Sequence, residues 1–229
     1  MTEMFSRVSF ICLVALGGIA STALSPAFAE ADNKSSSDSQ SGVTDYKDFV
    51  QKVGNEIVKI LADRNTTLDE RRDRFRTVLE NNFDIKSIGK FVLGRYWRTI
   101  SEEQKSQFLK LFEDALVENY SSQFDNYNNE SLEVKGSRDS KAGGMIVQSQ
   151  VIRPQGGNPL NVDWKVFSMK DGSYKILDIV VDGVSLSNTQ RSTYAATIQN
   201  NNGSIDALLK SMQDKNFIKN MNAASSKNS

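Results

Sequence analysis

The chain has 229 residues, with 28 basic and 28 acidic side chains, one cysteine and no histidine. The lack of histidine removes the commonest general base, metal ligand and triad partner, and the lone Cys12 allows no intrachain disulfide. Balanced charge gives no bulk pull toward DNA or RNA, so no nucleic-acid partner is expected.

The first 29 residues carry the three parts of a secretion signal in order: Arg7, an apolar run over residues 8–24, and Ala27-Phe28-Ala29 as a small-x-small cleavage site. Cleavage after Ala29 takes Cys12 with it and leaves an exported chain whose charges still balance. The alternative of an uncleaved anchor is disfavoured, because the run is barely long enough to span a bilayer and is broken by Gly17-Gly18. Cys12 lacks the small preceding residue of a lipidated cysteine. Residues 30–42 are small, polar and aperiodic, and read as a disordered leader. Residues 43–215 read as one α+β domain and residues 216–229 as a flexible tail.

Within the domain, Tyr46, Phe49, Val50, Val53, Ile57 and Ile60 predict a helix over residues 45–63 with one buried face. Thr67-Leu68-Asp69-Glu70 opens a second helix with a capping box. Its arginines, Arg71, Arg72, Arg74 and Arg76, alternate with acids and read as a solvated, self-paired face. A third helix starts near Asp84 and is expected to turn Ile85, Ile88, Phe91 and Val92 inward. A fourth follows the capping box Ser101-x-x-Gln104 and carries the widest stripe: Phe108, Leu111, Phe112, Ala115, Leu116, Tyr120 and Phe124. A stripe that wide must bury against a large apolar surface, and the strands are the expected partner.

Four strands are expected, around Leu132-Val134 and over residues 144–153, 161–169 and 174–181. Pro154 and Pro159 sit in a connection, where a missing donor costs nothing. Asp171-Gly172 marks a hairpin. If those two residues form the turn, Lys170 faces Ser173. Val162 then pairs with Val181, Trp164 with Ile179 and Val166 with Leu177 on one face, while Lys165 lies opposite Asp178 on the other. Two helices close the domain, residues 188–199 and 204–214. Helices and strands are thus segregated, which argues for an α+β fold with an antiparallel sheet.

Little of this sequence carries catalytic chemistry. No glycine-rich phosphate loop precedes a helix. Asp178 and Asp182 share a strand face but lie roughly 13 Å apart, too far for paired carboxylates, and Lys165 explains Asp178 more simply. The apolar sheet face and the fourth-helix stripe fit either a solid core or the walls of a pocket for an apolar ligand. Pattern alone leaves both open, since both need the same inward residues.

Phe83-Asp84-Ile85, Leu93-Gly94-Arg95-Tyr96-Trp97-Arg98, the helix over residues 108–120, and the run from Tyr174 through Asp182-Gly183-Val184-Ser185-Leu186 together resemble the MlaC family. These are the periplasmic lipid-binding components of the maintenance-of-lipid-asymmetry pathway, also called toluene-tolerance or ABC-transporter auxiliary proteins, with HpnM-like hopanoid-associated relatives. The likeness covers residues 46–214. It implies an NTF2-like α+β domain, with an antiparallel four-stranded sheet curved around helices and an apolar cavity for phospholipid acyl chains. It also implies a carrier in the periplasm, without cofactor or metal, and not an enzyme. The implied partners are an inner-membrane ABC lipid transporter with its lipid-binding subunit and an outer-membrane lipoprotein–porin complex. A hopanoid-associated lipid-binding protein and a periplasmic adaptor without a ligand are the alternatives. Under the lipid reading, sheet parity assigns Val147, Val151, Trp164, Val166, Leu177 and Ile179 to the pocket wall. Phe91, Tyr96, Phe108, Phe112 and Leu116 come from the facing helices. Arg95, Arg98 and Tyr96 are candidates for a phosphate head group, for a structural ion pair or for a partner contact.

Overall fold

A computed structural model describes residues 40–121, 124 and 127–214, with side chains described from residue 46. The expected signal sequence with Cys12, residues 30–39 of the expected leader and the tail 216–229 lie outside the described residues.

The element order is α1 (Gln40–Ala62), α2 (Leu68–Asn82), α3 (Ile85–Leu93), a 3₁₀ turn (Gly94–Arg98), α4 (Glu102–Ser121), β1 (Ser131–Asp139), β2 (Met145–Ile152), β3 (Leu160–Ser168), β4 (Tyr174–Val181), β5 (Val184–Ser185), α5 (Leu186–Asn200) and α6 (Ile205–Gln213). The strands form one antiparallel sheet in sequence order. It has five strands and not four, because the chain turns back through Asp182-Gly183 and pairs Val184-Ser185 with the end of β4.

Local chemistry sets the helix starts. Thr67 and Glu70 form the expected capping box on α2, and Ser101 with Gln104 forms the one before α4. Asp84, Ser185 and Ser204 cap α3, α5 and α6 through side-chain oxygens that accept from backbone N–H groups. The α2 arginines are paired mainly with other elements. Arg76 reaches Glu113 and Asp114 at 2.6 and 2.8 Å, Arg72 reaches Glu118 as well as Asp69, and Arg74 reaches Asp63. Arg71 is buried with its guanidinium 5.7 Å from the centre of the Phe124 ring. Arg72 and Arg76 clamp α2 to α4 and Arg74 ties α2 to the residue after α1, so the arginines are not simply a self-paired face.

The open edge of β1 is held by α1. Gln51 donates from Nε2 to the Leu132 carbonyl at 3.0 Å and accepts from Val134 N–H at 3.2 Å, so one side chain satisfies two edge groups that would otherwise invite a foreign strand.

The β3–β4 hairpin departs from expectation in one place. Val162–Val181, Trp164–Ile179 and Lys165–Asp178 pair as predicted. Val166 instead pairs with Ile176, leaving Leu177 as an extra residue in a bulge. The cause is the turn. Met169 N–H donates to the Ser173 carbonyl at 2.7 Å, so the loop holds three residues, Lys170, Asp171 and Gly172, with Gly172 at φ 82°. Three loop residues shift the register by one against the two-residue turn, and the bulge restores it.

Packing divides into two clusters. The first joins α1, α2, the end of α4 and the sheet, and includes Val50, Val53, Phe75, Val78, Val117, Phe124, Val147, Trp164, Val166 and Ile176. The second joins α3, α4, α5 and α6, and includes Ile88, Val92, Phe108, Phe112, Tyr194, Ile198, Leu208 and Leu209. The α4 stripe therefore does not lie on the sheet along its length. Phe108 and Phe112 stack at 5.6 Å and meet the edge of Tyr194 at 6.0 and 6.2 Å, wholly among helices. Only the C-terminal half of α4 reaches the sheet cluster.

Gly144 tests the β1–β2 connection. It sits at φ 70°, and a Cβ there would collide with the Val166 carbonyl oxygen. Gly144→Ala is expected to cost about 2 kcal/mol or more, read as a lower urea midpoint with an unchanged slope.

Candidate functional site

The two clusters meet at Phe83, Leu116 and Leu177. Phe83 and Leu116 are partly buried against both clusters, and Leu177 packs against the helical one. Phe83 follows α2, forms a parallel bridge with Ile176, and is succeeded by Asp84, whose N–H donates to the Ile176 carbonyl at 3.1 Å. The α2–α3 junction is thus bonded to β4 beside the bulge. Phe83, Leu116 and Leu177, all of intermediate exposure, thus form an apolar seam between the two cores.

The eleven predicted wall residues distribute around this seam unevenly. Val147, Trp164 and Val166 are buried in the sheet cluster, with Val151 and Ile179 partly buried beside them. Phe108 and Phe112 are fully buried in the helical cluster, with Tyr96 at its margin. Leu116 and Leu177 lie at the seam itself. Phe91 is the exception to its expected inward orientation: it is 42% exposed. The buried face of α3 is Ile88, Gly89, Val92 and Leu93, which turns Phe91 outward, where the Arg191 guanidinium lies 4.9 Å from its ring centre. Gly89 is needed on the inner face because a Cβ there would press on Leu109, 2.7 Å away.

Behind the seam lies a polar lock. Asp178 is buried, and one oxygen accepts from Lys165 Nζ at 2.8 Å and Ser185 Oγ at 2.7 Å, while the other accepts from Ser187 N–H at 3.1 Å. This carboxylate ties β3, β5 and the start of α5 to β4. On the inner face, Trp164 Nε1 donates to Ser149 Oγ at 2.9 Å, and Ser149 donates to the Val162 carbonyl at 2.9 Å. Sequence parity placed position 149 inward between Val147 and Val151, but a serine there gave no apolar signal. Its reason is the indole N–H, which needs an acceptor once buried.

The arrangement is poorly suited to acid–base chemistry. Burial, with the Asp178 carboxylate adding to it, pushes the Tyr120 phenol up to about 12, and burial likewise raises Tyr194. Both are neutral near pH 7. Asp178 has its oxygens occupied by structural donors. Among the described residues, no group of three or more acidic, histidine or cysteine side chains could hold a metal ion, and no helix is long and apolar enough to cross a membrane.

A separate recess of about 650 Å³ opens at the surface where α3, the 3₁₀ turn and α5 meet. Gly94 starts the turn at φ 56°, a conformation that favours glycine, and a Cβ there would lie 3.1 Å from the Arg191 guanidinium. Arg95 folds back on Tyr96, donating to its hydroxyl at 2.9 Å with the guanidinium 4.9 Å from the ring centre.

These features define an α+β protein with a five-stranded antiparallel sheet and an apolar seam where helices meet it, an architecture consistent with the expected NTF2-like fold. The chain belongs to the MlaC protein family, whose model matches residues 51–214. It is 23% identical over 172 residues to the intermembrane phospholipid transport system binding protein MlaC of Haemophilus influenzae, covering 72% of this chain and 79% of that protein. A solved structure of a phospholipid-binding protein from Ralstonia solanacearum, in complex with a phospholipid, has the same fold. The TM-score is 0.63 and the identity 23%, over 78% of this chain and 97% of the other.

Two expectations follow from the polar groups. Asp178→Asn leaves Lys165 without its charged partner and should lower stability by about 2 kcal/mol in chemical denaturation. For Tyr120 the sign runs from its raised value: its contribution is complete below the ordinary phenol value of 10.0 and is lost as pH rises from there to about 12. Thermal midpoints over that alkaline range should therefore fall less steeply in Tyr120→Phe than in the parent.

Proposed function

We propose that the chain is a periplasmic phospholipid-binding transport protein that holds acyl chains at the seam between its two cores. In this reading it carries lipid between an inner-membrane ABC-type transporter, with its lipid-binding subunit, and an outer-membrane lipoprotein–porin complex. The observation that carries the proposal is the seam: Leu116 and Leu177 present aliphatic groups between a sheet cluster and a helical cluster that are each internally closed. Membership of the MlaC family supports the same reading. So does the phospholipid binding of the Haemophilus influenzae and Ralstonia solanacearum relatives.

The energetics suit a carrier. Each methylene withdrawn from water contributes about 0.8 kcal/mol, so two long chains carry a gross transfer term on the order of 20 kcal/mol. Lipid does not cross water alone at that cost, yet a carrier must also release it. A seam of aliphatic groups provides contact without directional bonds, so parting the two cores exposes the tails without first breaking specific anchors. In this account Val147, Trp164 and Val166 form the floor on the sheet side, and Phe112 with Leu116 the opposite wall.

Organic extraction of the purified protein followed by mass spectrometry should yield phospholipid; a lipid-free extract would contradict the proposal. Leu177→Trp and Leu116→Trp should each lower the extracted lipid several-fold while the domain keeps its cooperative unfolding. Unchanged lipid in both folded variants would move the chains away from the seam.

A further inference from the structure

The cations of this protein are not evenly treated. On α2, Arg72, Arg74 and Arg76 each meet a carboxylate at 3.2 Å or less. At the surface recess the situation is reversed. Lys90, Arg95, Arg98 and Arg191 all line it, all are exposed, and none of them has an ion pair among the described residues. In a chain whose basic and acidic side chains number 28 each, four unneutralised cations in one recess are a local excess, not a consequence of composition. The C-terminus of α3 points here, but a helix end supplies only about half a negative charge, too little to balance four cations.

Two of the guanidinium groups are held in place. Arg191 lies over Phe91 and against Gly94, and Arg95 lies over Tyr96. Stacking on aromatic faces fixes the guanidinium planes while leaving N–H groups free to donate, the arrangement that suits planar recognition of an oxyanion. Beside them Phe91 is 42% exposed, and Trp97 is half-buried at the lining, so apolar ring surface borders the cations. The recess offers no strand edge to a peptide backbone. Its recognition elements are charges and ring faces around a concavity, which fits an inserted phosphate bordered by apolar chain.

We propose that this recess is a site for the phosphate of an anionic lipid head group presented at a bilayer surface, where the protein touches down on a membrane. It shares none of Phe83, Leu116 and Leu177 with the seam, so it goes beyond the carrier reading and can fail separately from it. Clusters of basic side chains bind an anionic surface with a contribution that corresponds to about fivefold in affinity for each charge. Amphipathic rings at their margin settle at the head-group level.

Co-sedimentation of the full chain with phosphatidylglycerol vesicles at low salt provides the test. The parent protein should bind, and should bind phosphatidylcholine vesicles far less. The double variant Lys90→Ala/Arg98→Ala should lose about twentyfold or more of that binding. The exposed lysines of the two hairpin loops serve as the control: Lys141→Ala/Lys170→Ala should bind like the parent. Lipid extracted from the purified double variant should match the parent, which separates loss of this site from failure of the carrier reading. Equal losses in both double variants would show generic charge attraction and overturn the proposal, as would unimpaired binding by Lys90→Ala/Arg98→Ala. Saturable binding of inorganic phosphate without vesicle binding would assign the recess to soluble phosphate and also overturn it. Binding of poly-glutamate by a protein that ignores the vesicles would assign it to an acidic protein segment instead, with the same consequence.

Discussion

The single extra residue in β4 is the constraint on which the architecture turns. Because Leu177 bulges, Ile176 faces the sheet cluster opposite Val166 while Leu177 packs against the helical cluster. One strand thereby contributes to two cores. The α2–α3 junction is bonded to the same point through Phe83 and Asp84, and Lys175 donates to the last carbonyls of α2 at Glu80 and Asn81. Asp178, the next residue after the bulge, accepts from three elements at once. Without the bulge, alternation would put Leu177 opposite Val166 and Ile176 on the polar face, and the seam would close into ordinary core.

A protein organised as two closed clusters joined at a seam has a natural direction of compliance. The ladders and helices store most of the cooperative stability. Apart from the backbone bonds of Phe83 and Asp84 to Ile176, the seam rests on side-chain contacts, which are individually weak and non-directional. Parting it costs apolar contact that a lipid tail can replace. That exchange, contact for contact, lets a carrier bind a strongly hydrophobic ligand without making release prohibitive. The polar lock at Asp178 holds the sheet edge and the start of α5 together beside the seam.

Much of this was legible in the sequence, and the failures share a cause. The capping boxes at Thr67 and Ser101, the Lys165–Asp178 pair and the segregation of helices from strands follow from local rules that tertiary context did not override. The Val166–Leu177 pairing failed because alternation was carried through a turn whose loop length the Asp-Gly signal does not fix. The α4 stripe was correct as a buried face, yet periodicity reports that a face is buried and not against what; Phe108 and Phe112 found helices, and only the C-terminal half found the sheet. Phe91 failed because its three-residue spacing from Ile88 was taken to put it on the inner face; the buried face is Ile88, Gly89, Val92 and Leu93, and the Phe91 ring supports Arg191 at the surface. Ser149 was silent because its role depends on the Trp164 indole on the neighbouring strand. The LGRYWR segment was recognisable as a motif, but its four-cation recess includes Arg191 from α5, far away in sequence.

The central claim is that acyl chains lie at the seam, within reach of the sheet floor. The chain contains two tryptophans, Trp97 near the surface recess and Trp164 on that floor. Trp97→Phe leaves Trp164 as the sole indole reporter. Fluorescence of this variant should be strongly quenched by a phospholipid carrying a nitroxide on its acyl chain, and far less by one carrying the nitroxide on its head group. Stoichiometric binding of the chain-labelled lipid with no quenching of Trp164 would contradict the account.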